Sequence, residues 1–244
     1  MKNVSLGVVV LGAFFFLPTF AFADSVAFVE ENHAFGGTDT QTTDTWDITG
    51  AGTHVTVVAG VSSGDVDDNV YATDCSWNGD AMSQVGTTGT GGVNGTLTMW
   101  YLPNADVGNY AFVCNYNASI TAFGAGRTMH VYSGTADSGP NSFTSPANKT
   151  GNFTVSTTPT TGGVWLVLFS NYGGTGPGPG TTQRQNTVGF SGDRGPIFPV
   201  EATTTAENTA AGTNEVVAGA IGIAPFVATV GQIWGNIVTF FGFY

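Results

Sequence analysis

The acidic residues of this sequence include one run whose oxygen ligands could hold a metal ion. Asp65, Asp67 and Asp68 stand close together, and Asp74 follows a few residues later. Carboxylate oxygens are the hard ligands that Ca²⁺ prefers, so a weak calcium site is the one cofactor that the sequence indicates. The run lacks the turn glycine and the distal glutamate of an EF-hand loop. A solvated acidic turn is therefore the competing interpretation.

A second chemistry to consider is glycoside hydrolysis, which needs two carboxyl groups facing each other across a cleft. Glu30 or Glu31 together with Asp47 is the arrangement that the strand pattern allows. Charged side chains at a sheet edge more often prevent aggregation. The histidines are scattered, without an i,i+4 pair, which argues against a zinc site: His33, His54 and His130. A non-enzymatic protein is expected.

Aromatic side chains form the third candidate group. Trp100, Tyr101 and Tyr172, the last beside a Gly/Pro-rich stretch, would stack on sugar rings if their faces were exposed. Packing in the protein core is the alternative for each of them. The sequence therefore predicts a weak carbohydrate-binding site at these three positions.

The last candidate group is the apolar segment 226–244, which carries no charged residue. Its apolar side chains, with the exception of Phe243, fall on about half of a helical wheel, which predicts a short amphipathic helix. Its Ile233, Trp234, Ile237 and Phe241 are predicted to dock against a membrane, a neighbouring subunit or the end of the domain itself. All three alternatives stay open at this stage.

The elements that position these side chains are short strands. His54–Ser62 contains Val55, Thr56, Val57 and Val58, whose branched side chains suit a pleated sheet. Strands of this kind recur along the chain with Gly, Asn and Pro turns between them and no convincing helix. The pattern predicts an all-β protein, an antiparallel β-sandwich of jelly-roll or Ig-like type. We further expect one shared core, made by Val57, Val58, Trp165, Val167 and Ile221.

Two segments carry a resemblance to a known family. VVAGVSS, from Val57 to Ser63, is followed after an acidic gap by WNGDAMSQV, from Trp77 to Val85. This pattern resembles a β-sandwich domain of largely unknown function that occurs in secreted and surface proteins of environmental bacteria. The resemblance extends over about residues 25–225. It implies strands and turns and no catalytic residues.

The beginning of the sequence predicts export. Lys2 precedes the apolar stretch Val8–Leu17, and Ala21-Phe22-Ala23 matches a small-x-small cleavage site. The predicted organisation is a signal peptide at 1–23, a β-sandwich domain at 24–225 and the apolar segment at 226–244, with a retained N-terminal anchor as the alternative. We expect an extracellular or cell-surface location.

Export gives meaning to the two cysteines, Cys75 and Cys114. Both lie in strand-like surroundings, and a pair of cysteines in an exported chain predicts one disulfide. Two buried free thiols are the alternative.

Composition narrows the range of partners. The formal net charge is −12 and charged residues make up 9% of the chain, so no basic patch is available to bind nucleic acid. The leading hypothesis is an exported β-sandwich whose surface contacts a glycan or another cell-envelope component in adhesion. The second is a structural subunit of a surface assembly, filament or virion that self-associates through 226–244. A glycan-active enzyme is the third.

Overall fold

The computed structural model describes residues 25–37, 39–63, 70–90, 95–120, 124–150, 154–157, 160–161, 163–170, 182–185, 190–194, 204–207 and 215–228. Every regular element within these ranges is a β-strand, and the paired strands run antiparallel. The predicted all-β, antiparallel class is confirmed. The predicted signal peptide and the predicted helix at 226–244 lie largely or wholly outside the described residues. No helix in the described ranges is long and apolar enough to cross a bilayer.

Seventeen strands are seen in the described residues. In chain order they are β1 Ala27–Gly36, β2 Gln41–Asp47, β3 Thr56–Ser63, β4 Ala72–Trp77, β5 Asp80–Ala81, β6 Ser83–Gln84, β7 Gly89–Thr90, β8 Thr96–Pro103, β9 Asn109–Tyr116, β10 Ala125–Ser133, β11 Thr135–Thr150, β12 Thr154–Thr157, β13 Val164–Ser170, β14 Thr182–Gln185, β15 Phe190–Arg194, β16 Thr204–Glu207 and β17 Glu215–Pro225.

The strands form three larger sheets and one small one. The six-stranded central sheet has the order β1-β10-β3-β8-β6, with β7 also paired to β8. A four-stranded sheet has the order β2-β9-β4-β5, and a five-stranded sheet has the order β11-β17-β13-β15-β14. Strands β12 and β16 pair with each other. Two hydrophobic clusters each combine residues of the central sheet with residues of another sheet, so these sheets pack face to face, as in a sandwich.

Strand β3 shows how the larger sheets are layered. Successive side chains of a strand point to opposite faces. Val57 and Val58 are both fully buried, but they belong to two different cores. The central sheet is therefore covered on both faces. The expectation of one shared core is wrong for this pair, because Val58 packs with Ile221 while Val57 packs on the opposite side of the sheet.

The first core lies between the central sheet and the four-stranded sheet. It contains the disulfide and the stacked rings of Trp46 and Phe112, whose centroids are 4.9 Å apart. Its other large members are Trp77, Trp100, Tyr116 and Met129. The second core lies between the central sheet and the five-stranded sheet. Its members include Leu97, Met99, Tyr132, Leu166, Ile221 and Ile223.

The hairpin from β4 to β5 follows directly from its sequence. Asn78 and Gly79 both have positive φ, 52° and 85°, and Trp77 pairs with Asp80 across them. Two central residues with positive φ match the twist of antiparallel strands, and Asn-Gly is the preferred pair there. One of the Gly and Asn turns expected between strands is therefore the two-residue turn Asn78-Gly79.

One end of the molecule, which we call the terminal pole, collects both ends of the described domain. Ala27 at the start of β1 pairs with Ser133, and Pro225 at the end of β17 pairs with Thr135. Phe226 follows, and its backbone N–H donates to the Gly134 carbonyl at 2.8 Å. Its ring stacks on His54, with centroids 3.5 Å apart. Pro225 and Phe226 therefore lie beside the end of β10 that pairs with the start of β1.

Candidate functional site

The four-stranded sheet carries the most regular solvent-facing surface among the described residues. Its inward side chains are buried in the first core, so the alternate residues of the same strands face outward. We call this surface the outer polar face, and its members are Gln41, Thr43, Thr45, Asp47, Asp74, Ser76, Asn109, Ala111, Val113 and Asn115. All are exposed or half-buried.

A hydrogen-bonded row crosses this face from strand to strand. The Gln41 Nε2 amide donates to Asn115 Oδ1 at 2.7 Å, and Asn115 Nδ2 donates to Asp74 Oδ1 at 2.6 Å. The hydroxyl of Thr73 donates to the second Asp74 oxygen at 3.3 Å. These bonds hold three long polar side chains flat against the sheet, because each is tied to its cross-strand neighbour.

The next rows are made of small side chains. Thr43 lies opposite Val113, which in turn lies opposite Ser76, and Thr45 lies opposite Ala111. Strands in a sheet are about 4.8 Å apart, and outward residues of one strand repeat about every 6.8 Å. The face is therefore a flat array of hydroxyl, amide and methyl groups at fixed spacing, without lysine, arginine or an aromatic ring among its members.

The predicted carbohydrate-binding aromatics are not gathered on this face. Trp100 is 3% exposed and lies in the first core, and its indole N–H donates to Thr98 Oγ1 at 3.0 Å. Its predicted exposure is wrong, because β8 is an interior strand of a sheet covered on both faces. Tyr101 is half-buried against the second core, with its ring packed over the Gly139 backbone. Tyr172 lies outside the described residues.

Of the predicted calcium ligands, Asp74 alone lies within the described residues. Asp65, Asp67 and Asp68 lie outside the described residues, and Asp74 belongs to the hydrogen-bonded row of the outer polar face. Within the described ranges, no three His, Cys, Asp or Glu side chains are grouped to hold a metal ion. The docking residues Ile233, Trp234, Ile237 and Phe241 lie outside the described residues as well.

The carboxylates considered for glycoside hydrolysis lie on two faces of one strand. Glu30 is opposite Val131, a first-core residue, whereas Glu31 is opposite His130 on the other face. The pKa of Glu30 is raised, mainly by burial and to a smaller extent by the charge of Asp47. The Thr49 backbone N–H, which donates to the Glu30 carboxylate at 2.9 Å, acts in the opposite direction and lowers this pKa. Only Glu30 of the two is therefore placed to interact with Asp47.

A buried ion pair that the sequence did not reveal joins the central and four-stranded sheets. Arg127 on β10 is 4% exposed, and its Nε and Nη2 donate to the two oxygens of Asp44 at 2.5 and 3.0 Å. Its Nη1 donates to the carbonyls of Gly36 and Ala125, both at 2.9 Å. Burial opposes the charge, but the hydrogen bonds and charge of Asp44 outweigh it and raise the pKa of Arg127.

A second polar group lies on the opposite face of the central sheet, against the five-stranded sheet. Asp193 is 3% exposed and accepts from the Tyr132 hydroxyl at 3.0 Å and from Arg184 Nε at 2.9 Å. The Arg184 guanidinium lies 3.8 Å from the centroid of the Phe28 ring. Burial raises the pKa of Asp193, although the hydrogen bonds from Arg184 and Tyr132 lower it. Burial and the neighbouring Asp193 both raise the pKa of Tyr132.

Both polar groups were missed for the same reason. Asp44 and Arg127 are 83 residues apart in sequence, and Tyr132 and Asp193 are 61 apart. No local pattern identifies such partners. A lone charged residue inside an apolar strand, as Arg127 is in AGRTMHVYS, was the available signal, because buried charges are almost always paired.

The comparisons with known proteins do not assign a family. No protein-family model matches the chain, and no curated protein matches it. The crystal structure of dimeric latent PorU from Porphyromonas gingivalis is similar at a TM-score of 0.24 and 11% identity, covering 87% of this chain and 22% of that one. A solved structure described as a pore forming protein has a TM-score of 0.09 and 10% identity, covering 79% of this chain and 77% of that one. This chain thus spans about a fifth of the PorU chain. Neither similarity carries an argument about function.

Proposed function

We propose that this chain is an exported, non-enzymatic β-sandwich that presents its outer polar face to a glycan or another cell-envelope component. The observation that carries the proposal is the flat array of hydroxyl and amide groups running from the Gln41–Asn115–Asp74 row to Thr45. An extended polysaccharide offers hydroxyl groups along its length and can lie across such an array. Contact would then be by hydrogen bonds, since the aromatic rings of these strands pack inward.

Two further observations support this proposal. The buried acids and bases Asp44, Arg127, Asp193 and Tyr132 are paired with one another inside the protein, as expected of structural groups. The disulfide between Cys75 and Cys114 fits an oxidising compartment, in agreement with the export predicted from residues 1–23. Membership of the environmental surface-domain family, and a jelly-roll or Ig-like topology, remain part of this proposal.

A binding experiment tests the outer polar face. Wild type, Thr43→Arg and Thr45→Arg would be incubated with purified insoluble polysaccharides and with bacterial cell-envelope fractions. Thr87→Arg, which places the same side chain on an exposed loop outside this face, is the matched control. We expect at least tenfold weaker binding for the two face variants and wild-type binding for the control. Equal binding by all four proteins, or binding to none of these materials by wild type, would overturn the proposal.

A second function, a structural subunit that assembles through 226–244, is favoured by one observation at the terminal pole. Val227, which follows β17 in the described residues, is an apolar side chain that is 48% exposed. Sedimentation of the full chain and of a chain ending at Val227 tests it. We expect the full chain to self-associate and the shortened chain to be a folded monomer. Identical oligomeric states would rule out assembly through this segment.

A further inference from the structure

His130 is the one histidine in the described residues that is completely buried. It lies on β10 in the middle of the central sheet and has no exposed surface. Neither Nδ1 nor Nε2 has a hydrogen-bond partner among the described residues. A buried polar group without a partner costs stability, and such groups are rare in native proteins, so each one calls for an explanation.

The position of His130 follows from the alternation along β10. Met129 and Val131 belong to the first core, so His130 and Tyr132 face the five-stranded sheet. On the neighbouring strands, Glu31 of β1 and Val58 of β3 lie directly opposite His130. His130 is therefore enclosed between two sheets and not at a surface.

The titratable and charged groups around it already have partners. On the adjacent strand β1, the Glu31 carboxylate lies with Oε1 3.1 Å from His33 Nδ1. From the facing sheet, Arg184 on β14 and Asp193 on β15 are bonded to each other, and Asp193 also accepts from Tyr132. On strand β3 the residue opposite His130 is the apolar Val58, and Val58 pairs on its other side with Tyr101 of β8. Arg184 is the one cation among these neighbours.

We propose that His130 makes the packing of the five-stranded sheet on the central sheet sensitive to acid. A proton on His130 would place a second positive charge near Arg184 in a space closed to water. The contact between these two sheets is then the one that weakens first. Among the described residues, the contact on the opposite face has no such histidine and is joined by the Arg127–Asp44 pair.

The direction of the pH effect follows from the difference between the folded and unfolded chains. Burial, with a smaller contribution from Arg184, lowers the pKa of His130 to about 3, whereas an unfolded histidine titrates near about 6.5. Below about pH 6.5, His130 binds a proton in the unfolded chain but stays neutral in the folded chain. The His130 contribution therefore reduces the folding equilibrium constant about tenfold per pH unit as the pH falls from 6.5 towards 3.

Two neighbouring acids act in the opposite sense. Burial raises the pKa of Glu31 and of Asp193, so each takes up its proton earlier in the folded chain than in the unfolded one. Their contribution to stability is present at low pH and declines as the pH rises through their folded pKa. The stability of wild type therefore varies with pH as the sum of these contributions. The difference between wild type and a His130 variant isolates the contribution of His130.

The experiment is urea unfolding of the full chain at pH 7.5, 6.5, 5.5 and 4.5, with wild type, His130→Phe and His33→Gln. Phenylalanine has a similar ring and no proton to bind, and His33→Gln is the matched control at a 41% exposed histidine. Between pH 6.5 and 4.5 we expect the folding constant of wild type to fall about 50-fold more than that of His130→Phe. The folding constant of His33→Gln should fall between pH 6.5 and 4.5 by about as much as that of wild type. Parallel pH profiles for wild type and His130→Phe would overturn the proposal.

Two measurements on wild type keep the proposal testable if His130→Phe does not fold. By NMR, the His130 ring should not titrate in the folded protein between pH 8 and 5, and a titration near pH 6.5 would contradict the proposal. By hydrogen exchange at pH 5, β13 and β17 should lose protection before β2 and β9. Equal loss in both pairs, within one sample, would refute the localisation to the five-stranded sheet.

Discussion

Arg127 is the buried cation on which the contact between the central and four-stranded sheets depends. Its guanidinium satisfies both oxygens of Asp44 and two backbone carbonyls at once. A planar guanidinium makes such a forked pairing, and an ammonium group does not. The pair itself adds little net stability over a well-packed apolar pair, but loss of one member leaves a buried charge without a partner.

We therefore expect Arg127→Met to reduce the free energy of unfolding at pH 7 by about 3–5 kcal/mol. Arg127→Lys should have a smaller effect, because it keeps the charge and loses the fork. The double variant Arg127→Met with Asp44→Leu should recover most of the loss, since no unpaired charge remains. Urea unfolding measures all three. A loss under about 1 kcal/mol for Arg127→Met would show that water satisfies Asp44 in its place.

At the same scale, Trp100 shows a limit of sequence reasoning. Its neighbours alternate between apolar and polar types, which is typical of a strand with one wet face. Thr98 on the face of Trp100 is nevertheless buried, because its hydroxyl bonds to the Trp100 indole and to the Val61 carbonyl. A threonine can thus be interior when its hydroxyl finds partners, and sequence alone does not show those partners.

At the scale of the elements, the β4–β5 hairpin depends on glycine at one position. Gly79 has φ of 85° with open space around a Cβ, whereas Gly52 has the same open space and no positive φ. Alanine at both positions separates backbone conformation from crowding. We expect Gly79→Ala to reduce the free energy of unfolding by about 1–2 kcal/mol, because an L-residue resists the left-handed region.

Gly52→Ala is the matched control for the hairpin prediction. Alanine restricts the unfolded chain, so Gly52→Ala should be neutral or stabilising by up to about 1 kcal/mol. Thermal unfolding of the two variants beside wild type measures both effects. Equal melting temperatures for Gly79→Ala and Gly52→Ala would contradict a turn governed by backbone conformation.

Strand β3 shows how much of the layering was readable. The run from Val55 to Val61 is apolar on both faces except for Thr56, and an unbroken run of this kind is typical of a strand covered on both sides. The sequence therefore predicted burial correctly. It did not show which strands cover each face, because those strands belong to other sheets, the four-stranded sheet on the Val57 side and the five-stranded sheet on the Val58 side. The outer polar face could not be predicted from the sequence either, because its paired residues are far apart along the chain. Gln41 of β2 and Asn115 of β9, for example, are 74 residues apart.

At the scale of the whole molecule, the disulfide is the strongest single constraint on the unfolded chain. The predicted pairing of Cys75 with Cys114 is confirmed, with a sequence separation of 39 residues. Closing a loop of this length stabilises a fold by about 4 kcal/mol in the chain-entropy model. Reduction of wild type leaves every other atom in place, so it is a cleaner test than substitution.

We expect the oxidised protein to show no thiol that reacts with an alkylating agent, and the reduced protein to unfold at a clearly lower urea concentration. Intact mass after alkylation counts the thiols, and urea titration with and without reductant measures the stability. Two reactive thiols in unreduced native protein would contradict the pairing. An unchanged midpoint on reduction would show that the unfolded chain is already compact around these cysteines.

The terminal pole also decides how the domain would respond to a pulling force. Ala27 and Pro225 pair with Ser133 and Thr135, the residues on either side of Gly134, so a force applied through the two ends acts on one end of the described domain. Strands β1 and β17 would then peel from their neighbours one hydrogen bond after another, instead of sliding against all of them together. We expect the domain to yield at low force and the 39-residue loop inside the disulfide to stay unextended. A protein tethered in this way would extend at low force, with the first core retained while β1 and β17 are drawn out.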